Sequence, residues 1–256
     1  MKIIACIKQV ADSEAKVKAE NGQVSWGDAP LVINPFDEYA VEGALQQKEA
    51  YGGTVTALCI GPESAKEALK HALAMGADDG ILISDAALKF LDTQGAARVL
   101  AAVISKIGAV DLVIFGRQTL DDGSGLTSAQ TARILGWPML SLTGQIKIDN
   151  QKVQVERIIE EGRQIVSVNL PAVLSVVQSI GEPRYPSFMG IRKASKAEIP
   201  VWSLKDIAVE APTPLINRLE LITPPSREIT CEIITGSNPS SIAESLSDKI
   251  MAEKIL

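Results

Sequence analysis

Four apolar runs, KIIACIKQV, TVTALCIG, GILIS and DLVIF, recur through residues 1–116 with helical patterns between them. This alternation constrains the fold more than anything else in the chain. Runs that are apolar at nearly every position, rather than every second one, belong to strands buried on both faces. Helices between them supply the cover, which predicts an α/β domain built on a parallel sheet with right-handed crossovers. The first helix carries its own punctuation. In INPFDEYAVEGALQQKEAYGG, Asn34 stands where a cap belongs and Pro35 suits the first helical position. Asp37 and Glu38 bring negative charge to the first turn, and Gly52-Gly53 end the helix. ESAKEALKHALAMGA, DTQGAARVLAAVISKIG and SAQTARILG read as further helices.

Beyond residue 138 the pattern changes. MLSLTGQIKID, QKVQVERIIEEG, RQIVSVNL and PAVLSVVQSI are strand-like, with turns at Asp149-Asn150 and Glu161-Gly162. They read as antiparallel additions to the sheet. IGEPRYPSFMGIRKASKAEIPVW reads as a loop leading into a basic helical turn. Residues 203–235, with PTP and TPP, read as an extended arm. SIAESLSDKIMAEKIL closes the chain as an amphipathic helix with Ile242, Leu246, Ile250 and Met251 on one face. The expected division is an α/β domain over 1–200 and a C-terminal arm and helix over 201–256. An arm of this kind either wraps a partner or folds back on its own domain, and the pattern fits both.

Composition removes several functional classes. A formal net charge of -6 argues against a general nucleic-acid binder, and 4% aromatics leave few platforms for stacked bases. Cys6, Cys59 and Cys231 lie far apart, which fits buried, reduced thiols rather than a disulfide frame or metal site. His71, the chain's single histidine, falls within a helical pattern, and no serine elbow accompanies it, so no hydrolytic triad is expected. No catalytic residue and no metal ligand is assigned. MKIIACIKQV is too short for a signal h-region and no apolar run reaches the length of a membrane span, so a soluble protein is expected, cytoplasmic or in a compartment reached without a retained signal.

The stretch GRQTLDDGSGLTS, residues 116–128, follows DLVIF directly. It is neither a Walker loop nor GxGxxG. It lies at the carboxyl end of a parallel strand, where ligands of such sheets bind. Gly123 and Gly125 let the backbone approach a phosphate. Ser124, Thr127 and Ser128 stand where the next helix begins, so hydroxyls and free N–H groups can hold an anion. Asp121 and Asp122 would repel phosphate and are expected to cap turns or bind ribose and backbone donors. A plain turn with capping serines is the alternative.

Four stretches together resemble the electron-transfer flavoprotein beta subunit: CIKQV, NPFDEYAVEGAL at 34–45, ALAMGAD at 72–78 and VERIIEEGRQIVSVNLPAVLS at 155–175. The last is the most specific, through Arg157, Glu160, Glu161, Gly162, Gln164, Pro171, Val173 and Leu174. The resemblance spans nearly the whole chain. It implies a Rossmann-like adenine-nucleotide-binding domain and a heterodimer whose alpha subunit holds most of an FAD, embraced by this chain's arm. It implies an electron carrier rather than a free-standing enzyme. Electrons would come from acyl-CoA or related dehydrogenases and leave to a quinone reductase or another acceptor.

The resemblance also implies nucleotide contacts from Cys6, Asn34, Pro35, Phe36, Asp37 and Ile60, and from Gly116, Arg117, Gln118, Thr119, Leu120, Asp121, Asp122, Gly123, Ser124, Gly125 and Thr127. Most of the family binds AMP there; a bifurcating subgroup binds a second FAD that accepts electrons from NADH. Asp121-Asp122, Thr127, NPFDE and Trp137-Pro138 lean toward AMP. CIKQV, Gly116-Arg117-Gln118, Asp92-Thr93, KAEIPVW and the closing helix lean toward the second FAD. Gly125-Leu126 fits neither subtype. PRYPSFMGIRK resembles the family's partner-recognition loop, which implies that Tyr185, Phe188 and Met189, flanked by Lys193 and Lys196, dock a dehydrogenase. A local core plug is the other reading of those apolar residues, and a stand-alone adenine-nucleotide-binding module is the other reading of the chain.

Overall fold

Strand β1 (Lys2–Ile7) is buried at five consecutive hydrophobic positions, as a run without alternation requires. The structure, a computed structural model, describes all residues except 21, 217–218, 224–230 and 254–256. In chain order the elements after β1 are β2 (Gln9–Ala11), β3 (Lys18–Glu20), β4 (Gln23–Ser25), β5 (Leu31–Ile33), α1 (Pro35–Tyr51), β6 (Thr54–Ile60), α2 (Lys66–Met75) and β7 (Asp79–Ile83). Then come α3 (Thr93–Ile107), β8 (Leu112–Gly116), α4 (Thr127–Leu135), β9 (Met139–Asp149), β10 (Lys152–Ile159), β11 (Gly162–Asn169), β12 (Ala172–Val176), α5 (Phe188–Ala194), β13 (Val201–Trp202) and α6 (Pro239–Ala252).

One nine-stranded sheet runs β11-β10-β9-β12-β8-β1-β6-β7-β13. Pairing is parallel from β9 through β12, β8, β1, β6 and β7 to β13, and antiparallel between β9, β10 and β11. Both faces are covered. Ile3, Ala5 and Ile7 point into a cluster with Ala40, Val41, Ala44, Leu45, Leu69 and Ala72 of α1 and α2. Ile4 and Cys6 point the other way, against Val99, Leu100, Val103 and Ile104 of α3 and Ala132 of α4. Each fully buried Val, Leu or Ile among them contributes about 1.5–3 kcal/mol, so the centre of the sheet holds the domain together.

The expectation of a covered parallel sheet with antiparallel additions is met, with one correction. PAVLSVVQSI was expected to pair antiparallel, but β12 inserts between β8 and β9 and is parallel to both. Its burial at all five positions is the mark of a two-faced parallel strand, which its place after two hairpin strands obscured.

The described residues separate into two compact units, Met1–Leu221 and Ile222–Leu256. In the first, the sheet continues past residue 200 through β13, and Leu204 and Ile207 are buried in the α3-side cluster. Asp92 caps α3 by accepting from Gly95 N–H at 2.7 Å, and its other oxygen accepts from Leu215 N–H at 2.7 Å. One carboxylate thus starts a helix and ties down residues 100 and more positions later. In the second unit, Asn238 and Ser241 form a capping box at the start of α6. The apolar positions of that helix, Leu246, Ile250 and Met251, are exposed. No helix among the described residues is long and apolar enough to cross a membrane.

Candidate functional site

From β1 the chain passes through α1 to β6 and β7 on one side, whereas β8 lies on the other side. The sheet order therefore reverses between β1 and β8. In doubly wound sheets ligands bind outside the carboxyl ends of the strands at that switch point. Two segments meet there: the chain leaving β1 at Lys8, and the glycine loop leaving β8 at Gly116.

Asn34 joins them. It is fully buried at the N-terminus of α1, yet its side chain caps no helical N–H. The expectation of a side-chain cap is corrected: Nδ2 donates to the Gln118 carbonyl at 2.9 Å, and Oδ1 accepts from Leu120 N–H at 3.2 Å. The Asn34 carbonyl takes over at the helix start, accepting from Asp37 N–H at 2.8 Å. Asn34 thus works as a clamp that presents one strand of peptide to the loop. Pro35 occupies the first turn as expected.

Gly116 explains the tightness of the joint. A Cβ there would sit 2.5 Å from Asp37 Oδ1 and from the Phe36 carbonyl oxygen. Beyond it the loop turns on itself. Gly123 N–H donates to the Thr119 carbonyl at 3.0 Å, and Asp122 Oδ1 accepts from Ser124 N–H at 2.8 Å. Gly125 has φ +62°, and a Cβ would meet the Arg117 carbonyl at 3.0 Å. Asp121 turns toward Lys8, with Nζ 2.5 Å from Oδ2. Both acids therefore take partners within the protein.

The residues fit a phosphate-bearing ligand on three counts. The first helical bond of α4 is from Gln130 N–H to the Leu126 carbonyl, so the N–H groups of Thr127, Ser128 and Ala129 lie outside the helix ladder. Thr119 Oγ1 is buried near the Asp121 carboxylate without a hydrogen bond of normal geometry. Gly123 has φ +65° with open space where a Cβ would stand.

Asp37 supplies the electrostatic setting. It is buried, accepts from Lys8 N–H at 2.8 Å, and is pushed up to about 7 by burial, against the opposing pull of its hydrogen bonds. A raised carboxyl binds its proton more tightly folded than unfolded. Its stabilising contribution is complete below the unfolded value of 3.8 and is lost as pH rises through about 7. Denaturant unfolding should therefore give a less stable fold at about pH 8 than at about pH 5.5, and Asp37→Asn should flatten that part of the slope. An unchanged slope in the variant would refute the assignment.

Cys6, the penultimate residue of β1, pairs with Phe115, and Ile60 ends β6. With Asn34–Asp37 and residues 116–127 they share the carboxyl edge of the sheet. Burial raises the Cys6 thiol well above its ordinary value. Cys59 faces the opposite cluster, so the two cannot be bridged, while Cys231 is exposed rather than buried. His71 Nε2 lies 2.9 Å from Glu38, a link between α2 and α1. Tyr185, Phe188 and Met189 stand apart from this edge, 95%, 80% and 67% exposed. They are no core plug. Ser187 caps α5 by accepting from Gly190 N–H at 2.9 Å, and a Cβ on Gly190 would collide with the Ala74 carbonyl of α2. Lys193 and Lys196 are exposed beside them. Sequence reasoning missed Lys8 and the Arg184–Glu42 pair; a cation directly after a strand's carboxyl end was the available signal for the first.

A doubly wound sheet with a glycine loop and a helix N-terminus at its switch point defines an α/β domain of the nucleotide-binding, Rossmann-like class. Residues 26–207 match the family model described as "Electron transfer flavoprotein domain". The chain is 35% identical over 263 residues to the caffeyl-CoA reductase-Etf complex subunit CarD of Acetobacterium woodii, covering 100% of each. It is 32% identical over 273 residues to the electron transfer flavoprotein subunit beta of Megasphaera elsdenii, again covering 100% of each. Protein FixA of Azorhizobium caulinodans is 36% identical over 220 residues, covering 82% of this chain and 78% of its own. The chain belongs to the electron transfer flavoprotein family, as a beta subunit.

Proposed function

We propose that this chain is the beta half of a heterodimeric electron carrier and holds an adenine nucleotide, AMP, at the β1–β8 switch point. The observation that carries the nucleotide reading is the Asn34 clamp, which presents the 116–125 loop and the start of α4 to one crevice. Asn34 and Gly116 would fix the loop, the N–H groups of Thr127 and Ser128 would meet the phosphate, and Thr119 would supply a hydroxyl. FAD, held mainly by the alpha subunit, supplies the redox chemistry when bound. This chain binds, orients and docks. Leu215, Ile216, Leu219 and Ile222, and Leu246 and Met251 of α6, are exposed apolar side chains that suit burial against that subunit. Tyr185, Phe188 and Met189, with Lys193 and Lys196, would dock the dehydrogenase donor through an acidic, apolar patch.

CIKQV, Gly116-Arg117-Gln118 and Asp92-Thr93, which resemble the bifurcating subgroup, support a second reading, in which a second FAD takes the nucleotide's place and accepts electrons from NADH. Co-expression with the alpha subunit, acid release and quantitation separate the readings. One FAD with AMP per heterodimer is the expected result. Two FAD, bleached by NADH, supports the second reading. A stable monomer that binds adenine nucleotide but neither flavin nor partner would overturn both.

A further inference from the structure

One cation reaches the glycine loop from outside it and belongs to no recognised loop motif. Lys8 is pinned at the carboxyl end of β1 by both sides of its peptide. Its N–H donates to Asp37 Oδ2 at 2.8 Å, and its carbonyl accepts from Asn34 N–H at 2.8 Å. The residues that hold Lys8 are thus those that hold the loop and start α1. Its ammonium reaches across the switch point, 2.5 Å from Asp121 and 3.9 Å from Asp122. Both members of the closer pair are partly open to solvent, with side-chain exposures of 40% and 44%.

We propose that Lys8 is the phosphate-binding cation of this site and that Asp121 is its place-holder, exchanged for the nucleotide's phosphate on binding. The inference rests on the nucleotide reading above. A half-exposed ion pair is weakly held, because water screens it and two side chains lose freedom to keep it. A phosphate dianion carries more charge than one carboxylate and brings the α4 N–H groups into the same contact. The exchange therefore runs toward phosphate. The same comparison resolves why two acids stand in an anion-binding loop. Asp122 is spent on the Ser124 N–H turn, and Asp121 neutralises Lys8 while the loop waits. The Asp121 carboxyl is shifted up by burial but held below its ordinary value by Lys8, which agrees with the pairing. The shared ligand chemistry is a phosphoryl group on adenosine, which AMP and the pyrophosphate of FAD both present.

The test is calorimetric titration of the full chain, co-purified with its alpha subunit and stripped of nucleotide. Ligands are AMP, adenosine and FAD, on wild type, Lys8→Met and Asp121→Asn. Wild type should bind AMP or FAD at least about tenfold more tightly than adenosine. Lys8→Met should lose about tenfold for the phosphorylated ligand and leave adenosine unchanged. Asp121→Asn should strengthen the phosphorylated ligand about threefold, because the competing carboxylate is gone. Equal weakening of AMP, FAD and adenosine by Lys8→Met would make Lys8 a structural residue and overturn the inference. So would weakening of AMP and FAD by Asp121→Asn. Wild-type binding of adenosine as tight as AMP and FAD overturns only the role of Lys8. Absence of all binding to wild type overturns the nucleotide reading and this inference together.

Discussion

Gly116→Ala should cost about 3 kcal/mol or more and empty the proposed nucleotide site, the largest effect expected of any single methyl group at this edge. The added Cβ would meet three atoms of one tight joint: Asp37 Oδ1 and the Phe36 carbonyl oxygen at 2.5 Å, and the Phe36 carbonyl carbon at 2.6 Å. Two of these are backbone, in the first turn of α1, and the third is a buried carboxylate already engaged by Lys8 N–H. None can rotate aside. Relief requires α1 to lift from β8, which would expose the cluster formed by Ala40, Val41 and Ala44 and pull Asn34 off the loop. Gly123→Ala is the informative comparison. Its φ of +65° strains an alanine, but nothing lies within 4 Å of the new methyl. That variant should cost about 1 kcal/mol and keep its fold. Thermal unfolding of both, with nucleotide content after acid release, checks the contrast. A Gly116→Ala protein that melts like wild type would mean that α1 is not seated against β8 as described.

The contrast also explains what could be read in advance. Strands β1, β6, β7 and β8 were legible because each is an uninterrupted apolar run, and burial on two faces leaves that signature whatever the surroundings. Strands of two or three residues, β2 to β5 and β13, carry no periodicity to read. β12 has the parallel-strand composition, but its neighbours in sequence are hairpin strands, and local context suggested the wrong partner. The loop itself was visible from its glycines. The way it is held was not. Asn34 has the propensity of a cap, a local property, but its side-chain partner is 84 residues away. Lys8 and Asp121 are likewise separated by the whole first half of the sheet. Interactions of that span are set by topology, so they become legible only once the strand order is known.

Arg184 is the clearest case, and it carries the second large expectation. The residue lies in EPRYPSF, ahead of the exposed Tyr185, Phe188 and Met189. Its guanidinium grips Glu42 of α1 with two bonds, Nε to Oε2 at 2.8 Å and Nη2 to Oε1 at 2.9 Å, and it also pairs with Glu49. Burial pushes the Glu42 carboxyl up, but the Arg184 hydrogen bonds and charge outweigh it and hold that carboxyl below 4.5. Arg184→Met should remove the partner and leave Glu42 charged in a buried place. The cost should be about 2–3 kcal/mol, less than for a fully enclosed pair because Arg184 is itself partly exposed to water. A depressed carboxyl contributes stability above its unfolded value that is lost as pH falls through the folded one. The deficit of the variant should therefore be full at neutral pH and shrink as Glu42 takes up a proton in acid. With the guanidinium gone, only the backbone N–H of residue 184, 3.2 Å from Glu42 Oε2, still ties the segment ahead of Phe188 to α1. Under the docking role proposed above, electron transfer from a dehydrogenase donor should slow while flavin content stays constant. Phe188→Ala should slow it as well without the loss of stability, since that ring is 80% exposed. Unfolding curves across pH, read beside transfer rates, distinguish the two roles. A stable Arg184→Met variant with normal transfer would show that the clamp neither supports the fold nor presents the proposed docking surface.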